Sequence, residues 1–152
     1  MKLAEALILR ADTQKRIEQI KQRLKANART QQGEKPEEDP KKLLVELDAL
    51  LRQLETLIKN INRTNSTAEF QSGVVLSDAL AMRDVLMLKR NAYADLAQAA
   101  SVRHDRVSRS EIKFVSTVEV AKLQKTVDDL SKQYRELDAK IQALNWLTEL
   151  IE

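Results

Sequence analysis

The sequence contains no cysteine, and its 152 residues include only two glycines and two prolines. The absence of cysteine excludes disulfides, thiolate nucleophiles, iron–sulfur clusters and thiolate zinc sites. So few glycines and prolines do not fit a turn-rich β fold or a disordered chain. Aromatic residues make up only 3%, so the core must consist mainly of Leu, Ile, Val and Ala, which suits helix-on-helix packing.

The residues that common catalytic sites need are also missing. Two glycines, Gly33 and Gly73, cannot build a phosphate-cradling loop. No nucleophile elbow occurs, and a single histidine, His104, excludes a His-rich metal site or a helical di-iron site. We expect His104 to be an exposed loop residue. The sequence therefore predicts a non-enzymatic protein with no catalytic residues, no cofactor and no metal.

The charges are numerous but nearly balanced, with 26 basic and 23 acidic side chains giving a net charge of +3. Such a balance favours solubility and does not indicate nucleic acid as a partner. The longest uncharged run near the N-terminus, Ala6–Leu9, is too short for a secretory signal. No window approaches the ~20 apolar residues that span a bilayer. We therefore expect a cytoplasmic protein that does not enter a membrane.

Helical periodicity dominates the chain and predicts a mainly α fold, with four long helices in an antiparallel bundle that forms a single domain over residues 1–152. The first helix is predicted over Lys2–Ala28. An acidic linker, residues 30–40, separates it from a second helix that begins at Pro40, with Asp39 as its N-cap. The third helix is predicted to have Ser77 as its N-cap and to run to about Ala99, and the fourth to run from Ser116 or Thr117 to the end of the chain.

The second helix carries the strongest pattern. Its main apolar row alternates by four and three residues: Leu43, Leu47, Leu50, Leu54, Leu57 and Ile61. A parallel row, Leu44, Leu51 and Ile58, widens the face beyond that of a two-stranded coiled coil and fits a helix with two neighbours. The third helix is predicted to bury Met82 and Leu96. Long near-heptad seams in the second and fourth helices predict self-association into a homo-oligomer.

Two short segments break the helical pattern. Residues 68–76 read as a β-hairpin whose turn contains Gly73. Because an isolated hairpin is marginal in water, it needs cover, and Glu111–Val115 is the other strand-like run in the chain. The sequence therefore predicts that the basic insert, residues 101–116, returns along the bundle and supplies a third short strand.

A set of polar residues lies where the predicted secondary structure changes. Two interpretations stay open: these side chains tie the hairpin and insert to helix ends, or they bind an anionic small molecule, a nucleotide or nucleic acid. Few aromatic residues are near for base stacking, which disfavours single-stranded nucleic acid. The candidate residues are Asn62, Arg63, Asn65, Arg83, Arg103, Arg106, Arg109, Glu111 and Lys113.

Five stretches of the sequence together resemble the septicolysin-like family of bacterial proteins. They are Met1–Ala11, Ile61–Asn65, Arg83-Asp84, Asp105–Lys113 and Asn145-Trp146. The resemblance implies a small bacterial helical protein of unestablished activity and carries no catalytic residues. The family name suggests a cytolysin. A thiol-type cytolysin motif needs cysteine and a tryptophan-rich loop, whereas this chain has no cysteine and one tryptophan.

Overall fold

The computed structural model describes residues 1–101 and 112–152 and confirms a mainly helical fold with a small hairpin. Within these residues the regular structure consists of four α-helices and one two-stranded antiparallel sheet. In chain order the elements are α1 (Leu3–Ala26), α2 (Pro40–Thr67), β1 (Glu69–Gln71), β2 (Val74–Val75), α3 (Leu76–Ala100) and α4 (Val120–Leu147).

The described residues group into two compact units. The first unit comprises Met1–Val75 and Ala143–Glu152, and the second comprises Leu76–Gln142. The single domain expected over residues 1–152 stays a prediction.

The first unit is built on the packing of α1 against α2. Ile17 and Ile20 of α1 and Leu43 and Leu50 of α2 form its buried cluster, flanked by further leucines. At the start of α2, the Asp39 carboxylate accepts a hydrogen bond from the Lys41 amide at 3.0 Å, and Pro40 occupies the first turn. Both features were predicted. Proline suits the first turn because it lacks an amide hydrogen, which that turn would leave unpaired.

The acidic linker between α1 and α2 has specific contacts. The Arg23 guanidinium pairs with the Glu38 carboxylate, and the Glu38 amide donates to Asn27 Oδ1 at 3.0 Å. These contacts fix the last turn of α1 to the residue that precedes the N-cap of α2. The linker therefore helps to set the spacing between the two helices.

The N-terminal residues pair with the C-terminal segment, and this contact is here termed the terminal bridge (residues 1–3 with 147–151). The Leu3 amide donates to the Thr148 carbonyl and the Leu150 amide to the Met1 carbonyl, each at 2.9 Å. Lys2 adds an ion pair to Glu149 and a hydrogen bond to the Leu147 carbonyl. The terminal bridge thus joins the start of α1 to the segment that follows α4.

Thr64, in the last turn of α2, is fully buried beside the terminal bridge. Its hydroxyl donates to the Asn60 carbonyl at 2.8 Å and accepts from the Ile151 amide at 2.9 Å. A buried backbone amide without a partner would cost about 1–3 kcal/mol. Thr64 therefore links α2 to the C-terminal segment, because its hydroxyl can donate one hydrogen bond and accept another.

The hairpin forms where it was predicted. The prediction of a third strand is wrong for residues 112–115, the part of it that the structure describes. Gly73 adopts a φ of 75° in the turn, a region that favours glycine. Ile112–Val115 takes no strand conformation and is exposed, while Glu111 lies outside the described residues. The reason is local: β2 contacts α2, so the hairpin takes its cover from the helix that precedes it.

The second unit pairs α3 with α4 in antiparallel orientation. Arg83 contacts Asp138, and Arg90 Nε donates to Ser131 Oγ at 3.1 Å. A higher residue number on α3 is thus paired with a lower one on α4, as two antiparallel helices require. The buried apolar residues of this unit are Leu76, Ala79, Ala97, Val127, Leu130 and Ile141.

The helix boundaries in the second unit differ from expectation at two points. Helix α3 begins at Leu76, which is fully buried, so Ser77 lies inside the helix and is not its N-cap. Helix α4 begins at Val120, after Ser116 has accepted a hydrogen bond from the Val118 amide at 3.3 Å. Such a local side-chain bond competes with helix and delays its start.

Membrane-spanning segments were searched for in residues 1–101 and 112–152. None of the helices there is both long and apolar enough to cross a membrane.

The terminal bridge should weaken in acid. The hydrogen bond from Lys2 holds the pKa of Glu149 below its ordinary value, against the opposite effect of burial. A lowered folded-state pKa stabilises the protein above the unfolded pKa of about 4.3, and that contribution disappears as pH falls through the folded value. We therefore expect the unfolding free energies of the wild type and Glu149→Gln to differ at pH 7 and to differ less at pH 3.

Urea unfolding of both proteins at the two pH values measures this difference. Other carboxylates titrate equally in both proteins and cancel in the comparison. A gap that stays constant or grows at pH 3 would show that the charge of Glu149 does not stabilise the contact.

Candidate functional site

The most distinctive surface of the first unit is the outer apolar row of α2, here defined as Leu44, Leu51 and Ile58. Their exposed fractions are 49%, 44% and 38%, although all three are large apolar side chains. Residues seven positions apart lie within about 20° of one another around a helix and about 10.5 Å apart along it. The three side chains therefore form one continuous stripe, roughly 21 Å long.

Helix α3 of the second unit also carries apolar side chains at its surface. Met82, Val85, Leu88 and Leu96 are all exposed. The prediction that Met82 and Leu96 belong to the core is therefore wrong. The buried positions of α3 are small or lie near its ends, namely Leu76, Ala79 and Ala97, so the helix packs on α4 through a narrow face.

Arg83 lies on the buried side of α3, where two carboxylates neutralise it. Its Nη1 donates to Asp138 Oδ1 at 2.9 Å, and its Nε and Nη2 donate to Asp84 Oδ1 at 3.2 and 3.1 Å. Burial acts to lower the pKa of Arg83, but these hydrogen bonds outweigh burial and raise the pKa above its ordinary value. The guanidinium is therefore committed to joining α3 and α4.

Asn62, Arg63 and Asn65 lie in the last turns of α2. Asn62 and Arg63 are exposed, and Asn65 is half-buried. Within the part of the chain that the structure describes, their side chains make no hydrogen bond or ion pair. The hydroxyls of Ser66 and Thr67 donate instead to the Arg63 carbonyl, which closes the end of the helix.

The remaining candidate residues belong to the basic insert. Arg103, Arg106, Arg109 and Glu111 lie outside the described residues, as does His104. Lys113 is exposed in the extended segment before α4. Among residues 1–101 and 112–152, no three His, Cys, Asp or Glu side chains come together as a metal site would require.

Residues 1–101 and 112–152 line an open groove in each unit. The groove of the first unit has a volume of about 580 Å³ and that of the second about 430 Å³. Arg52, Asn60 and Leu150 contribute to the first; Leu96, Phe114 and Val115 contribute to the second. None of the described candidate residues for anion binding lines either groove.

Sequence reasoning singled out Asn62, Arg63 and Asn65 but passed over Thr64 between them. Thr64 is the residue of this turn that is buried and makes a contact distant in sequence. Its signal was present, because the buried series Leu57, Ile61, Thr64 continues the four–three spacing of α2 by one step. Thr64 was missed because the series was identified from apolar residues and threonine is polar.

Comparison with known protein families identifies the family of this chain. A family model described as a family of unknown function (DUF6847) matches residues 10–150. The chain belongs to the DUF6847 family. No curated protein matches it.

One solved crystal structure resembles this DUF6847 member over nearly its whole length. It is that of a functionally unknown conserved protein from Corynebacterium diphtheriae, 46% identical in sequence. The match covers 99% of each chain with a TM-score of 0.94.

Arg83 gives a test that separates a structural role from anion binding. We expect Arg83→Met to lower the free energy of unfolding by about 1 kcal/mol, because it leaves Asp138 without its partner. The control is Arg63→Met, since Arg63 is exposed on α2. Urea unfolding measures stability, and calorimetric titration with inorganic phosphate measures anion binding. Unchanged stability together with lost phosphate binding would contradict the structural role.

Proposed function

We propose that this DUF6847 member is a non-enzymatic, cytoplasmic helical protein that acts by assembling with copies of itself through its helix faces. The observation that carries the proposal is the outer apolar row of α2, whose three side chains are partly exposed in the single chain. Single exposed leucines are ordinary on protein surfaces, but a continuous apolar stripe is typical of an interaction surface.

The spacing of the outer row favours a helix as its partner. Side chains repeating every seven residues along one line can pack between the side chains of a second helix over several turns. Charged residues flank the row, including the Glu55–Lys59 ion pair. An apolar centre with a charged rim is the usual arrangement of such interfaces. A second copy of the chain supplies the same stripe, which a closed, symmetric assembly would use on both partners.

The exposed side chains of α3 give further support. Met82, Val85 and Leu88 follow one another along that helix and are half or more exposed, so a partner that covered them would bury further apolar surface, worth ~25 cal/mol per Å². Two helix faces with uncovered apolar side chains suit an oligomer with more than one contact. Helix α3 is therefore a second candidate face for the same assembly.

Self-assembly is preferred to anion binding because of the electrostatics of Arg83. This guanidinium already contacts Asp84 and Asp138, so an added anion would have to displace a carboxylate. The exposed cations Arg63 and Lys113 lie where solvent screens their charges, which weakens attraction for a small anion.

We carry the septicolysin-like resemblance into the proposal as a relationship of sequence without lytic activity. The composition supports this view, because the chain has no cysteine and a single tryptophan, whereas a thiol-type cytolysin motif uses both residue types. The cytoplasm is the proposed location, since a cysteine-free protein gains no stability from an oxidising compartment.

A lysine in the outer row should disrupt assembly. We expect Leu51→Lys to weaken self-association at least tenfold, because the charge would be buried between apolar side chains. The matched control is Val45→Lys, since Val45 is also an exposed apolar residue of α2 but lies roughly 120° around the helix from Leu51. Multi-angle light scattering across a concentration series measures the effect.

The outcomes are distinct. A wild-type protein that stays monomeric at micromolar concentration would contradict the proposed function. An oligomer that Leu51→Lys and Val45→Lys affect equally would exclude the outer row as the interface.

A further inference from the structure

The segment Ile112–Val115, with the sequence Ile-Lys-Phe-Val, is the most exposed apolar stretch among the described residues. Ile112, Phe114 and Val115 are 94%, 91% and 75% exposed. β-branched and aromatic residues favour strands, and the segment has no proline. Three exposed apolar side chains within four residues leave much apolar surface in water unless a partner covers them. Its composition is that of a strand, yet it has no strand partner among residues 1–101 and 112–152.

The β1–β2 hairpin has the complementary deficiency. In the described part of the chain its sheet contains two strands, so the outer edges carry no further strand. Such edges present unpaired backbone donors and acceptors and accept added strands readily. Because α2 contacts β2, the edge of β1 is the one that suits an added strand.

We propose that Ile112–Val115 of one copy adds as a strand to the β1 edge of a second copy. This inference rests on the proposed self-assembly and names a contact within it. The segment would receive backbone hydrogen bonds, and the hairpin would gain the third strand that a stable small sheet needs.

Charge and side-chain alternation select this occupant. In a strand, successive side chains point to opposite faces. In the proposed register, Phe70 shares a face with Ile112 and Phe114, so Glu69 of β1 lies on the same face as Lys113. Both charged residues are exposed, and ion pairs to other described residues are absent for both. An acid and a base at facing positions stabilise a strand pair.

Cross-linking between differently sized copies tests the contact directly, because the wild type has no cysteine and gives no background. A tagged Glu69→Cys variant is mixed with an untagged Lys113→Cys variant and treated with a short bis-maleimide. We expect a cross-linked heterodimer in several-fold excess over the same reaction with Lys125→Cys, whose lysine is an exposed residue of α4.

Light scattering of the unmodified protein separates the two proposals. If the protein is oligomeric but Lys113→Cys and Lys125→Cys give equal yields, the strand addition is overturned and self-assembly stands. If the double variant Glu69→Cys/Lys113→Cys links only within one chain, the inter-copy contact is also overturned. If the protein is monomeric at the concentrations used, both proposals fail.

Discussion

The structure depends on how much apolar surface a pair of helices can enclose. Helix α2 has a stripe wide enough for two neighbours, yet its principal partner within the first unit is α1. Leu43, Leu50, Leu57 and Ile61 of the main apolar row are buried, whereas the outer row of Leu44, Leu51 and Ile58 is only partly covered. Aromatic residues make up only 3% of the chain, so few bulky side chains exist to cover that row. The exposed helix faces follow from this limit.

The polar contacts among the described residues join helices to one another and to the C-terminal segment. Thr64 and the terminal bridge bring the C-terminal segment to the ends of α1 and α2, and Arg83 joins α3 to α4. Each contact satisfies a buried or half-buried polar group that would otherwise be costly. Among the candidate residues that the structure describes, those with defined partners therefore stabilise the fold.

Most of the fold could be predicted because it depends on the local spacing of apolar, capping and turn residues. The four–three spacing of leucines in α2, the Asp39-Pro40 start and Gly73 in the turn each depend on residues within a few positions. The predictions of a third strand and of buried Met82 and Leu96 were wrong, because both depend on which elements contact one another in the folded protein. Periodicity identifies an apolar face but not whether a neighbour covers it. The partners of Arg83 were hidden for the same reason, since Asp138 is 55 positions away along the chain.

The central claim is that copies of the chain cover the outer row of α2. Hydroxyl-radical footprinting at low and high protein concentration tests it in the unmodified protein. The account predicts that Leu44, Leu51 and Ile58 become less reactive as concentration rises, while Val45 on the same helix does not change. Reactivity of the outer row that is independent of concentration over the micromolar range would contradict the account.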